Sequence, residues 1–159
     1  LAGGEVVLTL TNASEGVEVT LSEDDLLALP QAIVSTENEF VDGMVDFSGP
    51  LARDVIALLN DPDIENLTLT AVNDYSVEVP AIDFTNYDVI FALFQNGEQF
   101  SARDKGPVWV IYPMSEHSEL QDRVYNDRLI WQLVRVDALL KLLAFHDWWS
   151  WPLLSVWLV

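Results

Sequence analysis

The chain is written in short alternating runs. "EVVLTL" (5–10) and "VEVTL" (17–21) place apolar residues at every second position and flank the polar "TNASEG", the pattern of two half-buried strands joined as a hairpin. "SEDDLLALP" then changes the period. Ser22 is a natural N-cap, Glu23, Asp24 and Asp25 fill the first turn where the helix dipole favours anions, and Pro30 stops a short helix. "QAIVSTENEF" predicts a strand leading through "VDGMVDF", where Asp42-Gly43 signals a tight turn.

"SGPLARDVIALLN" predicts a helix with Pro50 at its first position, an apolar stripe of Leu51, Val55, Ile56, Leu58 and Leu59, and Asn60 closing the end. "NLTLTAVNDYSVEVP" (66–80) alternates on both sides of Asn73-Asp74, as a second hairpin or a sharp strand bend. "YDVIFALFQNGEQF" (87–100) predicts a third hairpin on Asn96-Gly97, residues that accept the two positive-φ positions of a type I′ turn. "PVWVIYP" is nearly continuous in apolar residues, as a strand buried on both faces would be. "SEHSELQDRVY" predicts a short helix capped by Ser115 or Ser118, and "RLIWQLVRV" (128–136) alternates as a closing strand. Short strands with a few short helices define an α+β class, mostly β, with mixed small sheets in place of a doubly wound parallel sheet.

Residues 1–138 read as one domain, and 139–159, "LLKLLAFHDWWSWPLLSVWLV", as a separate Trp-rich tail that carries four of the six tryptophans. Pro152 and the His146-Asp147 pair interrupt its apolar character. Three readings of this tail stand side by side: packing on the domain or on a partner protein, an interfacial membrane contact, or an end unrelated to the natural domain.

Charge narrows the partners. Across 159 residues there are 26 acidic and 7 basic side chains, a net charge of -19, and six of the seven basic residues lie from Arg103 onward. Such a field repels nucleic acid and anionic membrane surfaces, whose binding rests on neutralising phosphates with Lys and Arg. Any anion must be held by the later part of the chain. Cysteine is absent, which removes disulfides, thiolate nucleophiles and Cys-ligated metals. The opening "LAGGEVVLTL", with no initiator Met, suits either a mature form whose secretory signal has been removed or an arbitrary boundary, and the expectation is a periplasmic or otherwise exported protein.

Chemical motifs are sparse. "DPDIEN" (61–66) spaces Asp61, Asp63 and Glu65 like the start of a calcium loop, but Asn66 and Val72 stand where the loop needs Gly and a bidentate Glu, so a solvated turn is expected. Zinc lacks ligands, His117 and His146 being the two histidines. No nucleophile elbow or phosphate loop appears. "FSARDKGPVWVIYP" is the remaining feature. Arg103 and Lys105 with the amides around Gly106 form either an anion-binding concavity or charge partners of the acidic surface at a turn into the core strand.

The order of these motifs, from "LTLSEDDLLALPQAIV" through "GPLARDVIALL" and "NGEQFSARDKGPVWVIYP" to the strand with Trp131, resembles the oxidoreductase molybdopterin-binding domain, the fold of sulfite oxidases and their small bacterial relatives, over about residues 5–138. The resemblance implies a cleft that holds a molybdopterin cofactor, with molybdenum ligated by a cysteine at a position that Thr36 or a neighbour occupies here. A hydroxyl is a poor substitute for a soft thiolate on this metal. The expectation is therefore a non-catalytic exported binding or sensory module with no cofactor. Its cleft would be lined by Thr36, Glu37 and Asn38, by Asn73, Asp74 and Tyr75, and by Arg103, Asp104 and Lys105, and would take a small anionic or pterin-like ligand. The alternative is a molybdopterin-dependent oxidoreductase that holds its cofactor without a protein thiolate.

Overall fold

The computed structural model describes residues 4–139. The Trp-rich tail, apart from Leu139, lies outside the described residues, and with it His146 and the three readings of that segment. In the first half the elements are β1 (Val6–Asn12), β2 (Val17–Ser22), α1 (Glu23–Ala28), β3 (Gln31–Thr36), β4 (Val45–Pro50) and α2 (Ala52–Ile56), with a 3-10 turn at Ala57–Leu59. They continue with β5 (Asn66–Ala71), β6 (Ser76–Pro80), α3 (Ile82–Asn86), β7 (Ile90–Ala92), β8 (Phe94–Gln95) and β9 (Glu98–Gln99). The series ends with β10 (Trp109–Ile111), a 3-10 turn at Ser118–Leu120, α4 (Arg123–Asn126) and β11 (Leu133–Ala138). This is the α+β, mostly β class that the alternation predicts. No described helix is long and apolar enough to cross a membrane.

The largest sheet has the order β2-β1-β11-β5-β6. β11 runs parallel to β1 and antiparallel to β5, so the last described strand fills the centre between two hairpins. Period-two alternation turns Leu8, Leu10, Leu67, Leu69 and Val136 to one face, where each is fully buried. Two smaller sheets, β10-β7 and β3-β4-β8-β9, stand opposite.

β7 and β10 form a wall shared by two cores. Val89, Phe91, Leu93, Val108, Val110 and Tyr112 join the large core against the five-stranded sheet. Their alternating neighbours Ile90, Ala92, Trp109 and Ile111 join a second core with Val34, Phe47 and Phe100. This explains the unbroken apolar run "PVWVIYP": both pleat faces meet side chains, so neither tolerates polarity. Each fully buried aliphatic in this wall contributes about 1.5–3 kcal/mol by area. Trp109 meets Phe47 and Phe100 in T-shaped contacts at 5.2 and 5.8 Å between centroids, and its Nε1 donates to the Leu129 carbonyl at 3.1 Å. Gly49 permits β4 to lie against β7, since a Cβ there would sit 2.1 Å from the Phe91 carbonyl oxygen.

Several local expectations hold in detail. Ser22 and Asp25 make a reciprocal capping box, with Ser22 N–H donating to Asp25 Oδ2 at 2.8 Å and Asp25 N–H to Ser22 Oγ at 3.2 Å. Asn96 and Gly97 take φ of 48° and 79°, and Asn60 closes its segment at φ 52°. Others are corrected. Pro50 ends β4 opposite Gln31 instead of starting the helix. The helix begins at Ala52, whose N–H donates to the Val89 carbonyl at 2.8 Å, so a neighbouring segment supplies what a side-chain cap would. The "SEHSELQDRVY" segment splits into a 3-10 turn and α4, and the cap is Asp122, which accepts from Val124 N–H, in place of Ser115 or Ser118. β3 and β4 are joined by eight residues in which Gly43 bends at φ 70°, longer than a tight turn. The 87–100 hairpin reduces to β8 and β9, because β7 leaves to pair with β10. The closing strand starts at Leu133, after a break at Gln132 with φ 50°.

Candidate functional site

Thr36 ends β3 fully buried. Its hydroxyl donates to the Glu37 carbonyl at 2.9 Å and accepts from Ser115 N–H at 3.0 Å, while Ser115 Oγ lies 3.2 Å away and accepts from Glu37 N–H at 2.9 Å. This clasp ties the end of β3 to the chain just after β10. It consumes the polar capacity of Thr36 and turns the following residues, Glu37 to Glu39, outward.

Those residues wall a cavity of about 290 Å³ with Ser115, Gln121 and Asn126 on the far side. Asn38 Oδ1 accepts from Phe40 N–H at 2.9 Å, and its buried Nδ2 has no hydrogen-bond partner. A second cavity of about 280 Å³ is lined by Phe40, Asn73, Tyr75, Asn126, Asp127 and Trp131 among others. Asn126 lines both cavities. The loop after β3 and the β5-β6 turn therefore border two cavities that meet at the C-terminal end of α4.

The β5-β6 turn sets its own residues. Asp74 takes φ 67°, Asn73 Oδ1 accepts from Tyr75 N–H at 3.2 Å, and the Tyr75 hydroxyl donates to the Asp127 carbonyl at 3.2 Å. Tyr75 is half exposed, held at both ends. Phe40 meets Trp131 edge to face at 4.9 Å, and Trp131 is itself 36% exposed.

The third expected segment is not part of this lining. Arg103, Asp104 and Lys105 line neither cavity. Lys105 lies 3.5 Å from Asp104 and over the Trp109 ring at 5.2 Å to its centroid. Gln132 links the segment to the others: its N–H donates to the Lys105 carbonyl and its Nε2 to the Ala102 carbonyl, and its own carbonyl accepts from Val72 N–H. Of the nine expected residues, Glu37, Asn38, Asn73 and Tyr75 line the two cavities. Thr36 is sealed beneath them.

Sequence reading missed the wall contributed by Ser115, Gln121, Asn126 and Asp127, and the facing Phe40. No periodic signal marks them, since all sit in turns or a one-turn helix. It also missed a buried ionic cluster. Asp83, buried on α3, accepts from the Tyr112 hydroxyl at 2.7 Å and from Arg128 Nη1 at 2.5 Å. Arg128 stacks over Tyr125 at 4.9 Å. Burial pushes the Tyr112 hydroxyl far above the ordinary tyrosine range, and the adjacent Asp83 carboxylate adds to this. The cluster pins the stretch after α4, which carries the groove residues, to α3 and β10.

Among the described residues no group of three or more His, Asp or Glu comes together to hold a metal ion. Asp61 and Asp63 lie in a turn in which Asp61 Oδ1 accepts from Asp63 N–H at 2.9 Å. His117 packs against Tyr87 at 4.9 Å with Glu119 3.7 Å from its Nδ1, away from the groove lining.

No family model matches the chain, and no curated protein matches it. Among solved structures, the sulfane dehydrogenase SoxCD from Paracoccus pantotrophus is similar, with a TM-score of 0.62 and 14% sequence identity, over 86% of this chain and 39% of that one. At that identity the likeness shows a distant relationship of fold. The chain spans less than half the length of that protein.

Proposed function

We propose that the protein is a non-catalytic, exported binding or sensory module on a sulfite-oxidase-type scaffold, taking a small ligand in the groove between the loop after β3 and the segment from α4 to Trp131. The observation that carries this reading is the state of Thr36. The family resemblance puts a molybdenum-ligating cysteine at Thr36 or a neighbour, and the Thr36 hydroxyl is fully buried and engaged with Glu37 and Ser115. A hard, neutral oxygen with both hydrogen-bonding roles occupied is a poor donor to a metal that prefers thiolate. A molybdopterin also carries phosphate, and among the described residues no Lys, Arg or His lines either cavity of the groove. The residues present do not fit that cofactor, and no step through it is derived.

The supporting feature is a preformed concavity with convergent carboxamides and aromatic rings, the usual character of a small-molecule site. Elemental analysis of protein purified from its native host tests the reading. Molybdenum well below one equivalent per chain is expected. One molar equivalent, retained through gel filtration, would overturn the non-catalytic assignment in favour of a molybdopterin-dependent oxidoreductase.

A further inference from the structure

Resting on the reading of this groove as a binding site, we infer that its ligand is a small organic cation, of the methylated-ammonium class, seated among Phe40, Tyr75 and Trp131. Three aromatic rings from three separate chain segments line one cavity of about 280 Å³. Such rings present negative faces, and they attract a cation whose charge is spread over methyl groups because it loses little hydration on entering. Phe40 and Trp131 are fixed edge to face at 4.9 Å, and Tyr75 is fixed through its hydroxyl to the Asp127 carbonyl. The rings are thus ordered before a ligand arrives, which lowers the entropy cost of binding.

The surrounding charge has the matching sign. Glu37 and Glu39 line the adjoining cavity and Asp127 lines this one, whereas among the described residues no basic side chain lines either. The nearest guanidinium in the wall sequence, Arg128, is committed to buried Asp83. A chain carrying a net charge of -19 adds a long-range field of the same sense. An anionic or phosphorylated ligand meets repulsion from this lining; a cation meets attraction from both the rings and the carboxylates. The Asn73 and Asn126 carboxamides supply hydrogen bonds to any hydroxyl or carbonyl the cation also carries.

The test is a set of calorimetric titrations with choline, with its neutral isostere 3,3-dimethylbutan-1-ol, and with pterin-6-carboxylate. Saturable binding of choline and at least about tenfold weaker binding of the isostere are expected, since only the charge differs. Trp131→Leu and Tyr75→Leu should each weaken choline by about 2-fold to 30-fold. Tyr75 is half exposed at a turn, so its variant keeps the comparison sound if Trp131→Leu fails to fold. Glu37→Gln with Glu39→Gln should weaken choline further at low salt and less at high salt. If the isostere binds as well as choline, the cationic assignment is wrong. If the pterin carboxylate binds in a Trp131-dependent way and choline does not, that assignment fails while the binding-module reading stands. If none of the three binds, both the cationic assignment and the groove's role are overturned, whatever the molybdenum analysis shows.

Discussion

Tyr112 donates its hydroxyl hydrogen to Asp83 at 2.7 Å, across 29 positions of sequence and inside the large core. Arg128 completes the arrangement from the stretch that walls the groove. Three segments are joined at one carboxylate oxygen, and a buried carboxylate is tolerated only because a cation and a donor compensate for its lost hydration.

Removing the cation should expose that dependence. Arg128→Leu leaves the buried Asp83 without its cation, and a loss of about 3–5 kcal/mol is expected. Asp83→Asn with Arg128→Leu together should cost less than the sum of the two single changes. Urea unfolding of the three variants measures this. An unchanged midpoint for Arg128→Leu would contradict the buried ion pair.

Alkaline pH should weaken the fold through Tyr112. Its proton is held above the ordinary tyrosine range by burial and by Asp83. The stability this group contributes is fully present below the unfolded tyrosine value of about 10. Above that value the unfolded chain releases the proton while the folded chain keeps it, so stability falls as pH rises. Tyr112→Phe should remove that part of the slope in unfolding curves between about pH 9 and pH 11. The acid side is governed differently. The Asp25 carboxyl lies below its usual range because of hydrogen bonds with the Ser22 backbone and then its side chain. Its contribution is present above the unfolded carboxylate range and is lost as pH falls through the folded value.

Thr36→Val keeps shape and removes the hydroxyl, leaving Ser115 N–H without its acceptor. A cost of about 1–3 kcal/mol follows from burying an unpaired donor. Thr36→Ser, which restores the hydroxyl, should recover most of it. Equal stability of Val and Ser variants by thermal unfolding would remove the clasp from the account of the groove.

Gly49→Ala places a methyl group 2.1 Å from the Phe91 carbonyl oxygen, a backbone atom that cannot swing aside. Overpacking of this kind costs about 1–3 kcal/mol, with separation of β4 from β7 as the structural outcome. Faster amide exchange at Leu93, whose N–H donates to the Ser48 carbonyl, would report it.

Much of the fold was legible where one residue's chemistry decides a local shape. Ser22 with Asp25, Asn96-Gly97, Asn60 and the apolar run through Trp109 each announce what they do. Reading failed where a tertiary neighbour supplied what a side chain usually does. Ala52 takes its acceptor from Val89, so Pro50 was free to finish a strand. β7 left the expected hairpin because β10 offered a second apolar face to cover. The groove was visible only in part for the same reason: Glu37, Asn38, Asn73 and Tyr75 lie in polar turns that stand out, whereas Asn126 and Asp127 acquire meaning only when α4 is placed beside them. Arg103 and Lys105 stand out as rare cations, yet their turn is tied to the groove segments through the backbone and side chain of Gln132 and not through their charges.

The position of β11 carries a consequence for how the molecule assembles. Two separately closed ribbons, residues 6–22 and 66–80, wait with their β1 and β5 edges unpaired until residues 133–138 are available to bridge them. Such distant pairing puts the protein among slow folders, on the millisecond-to-second scale. During synthesis on a ribosome, the bare edges are what a chaperone would have to shield.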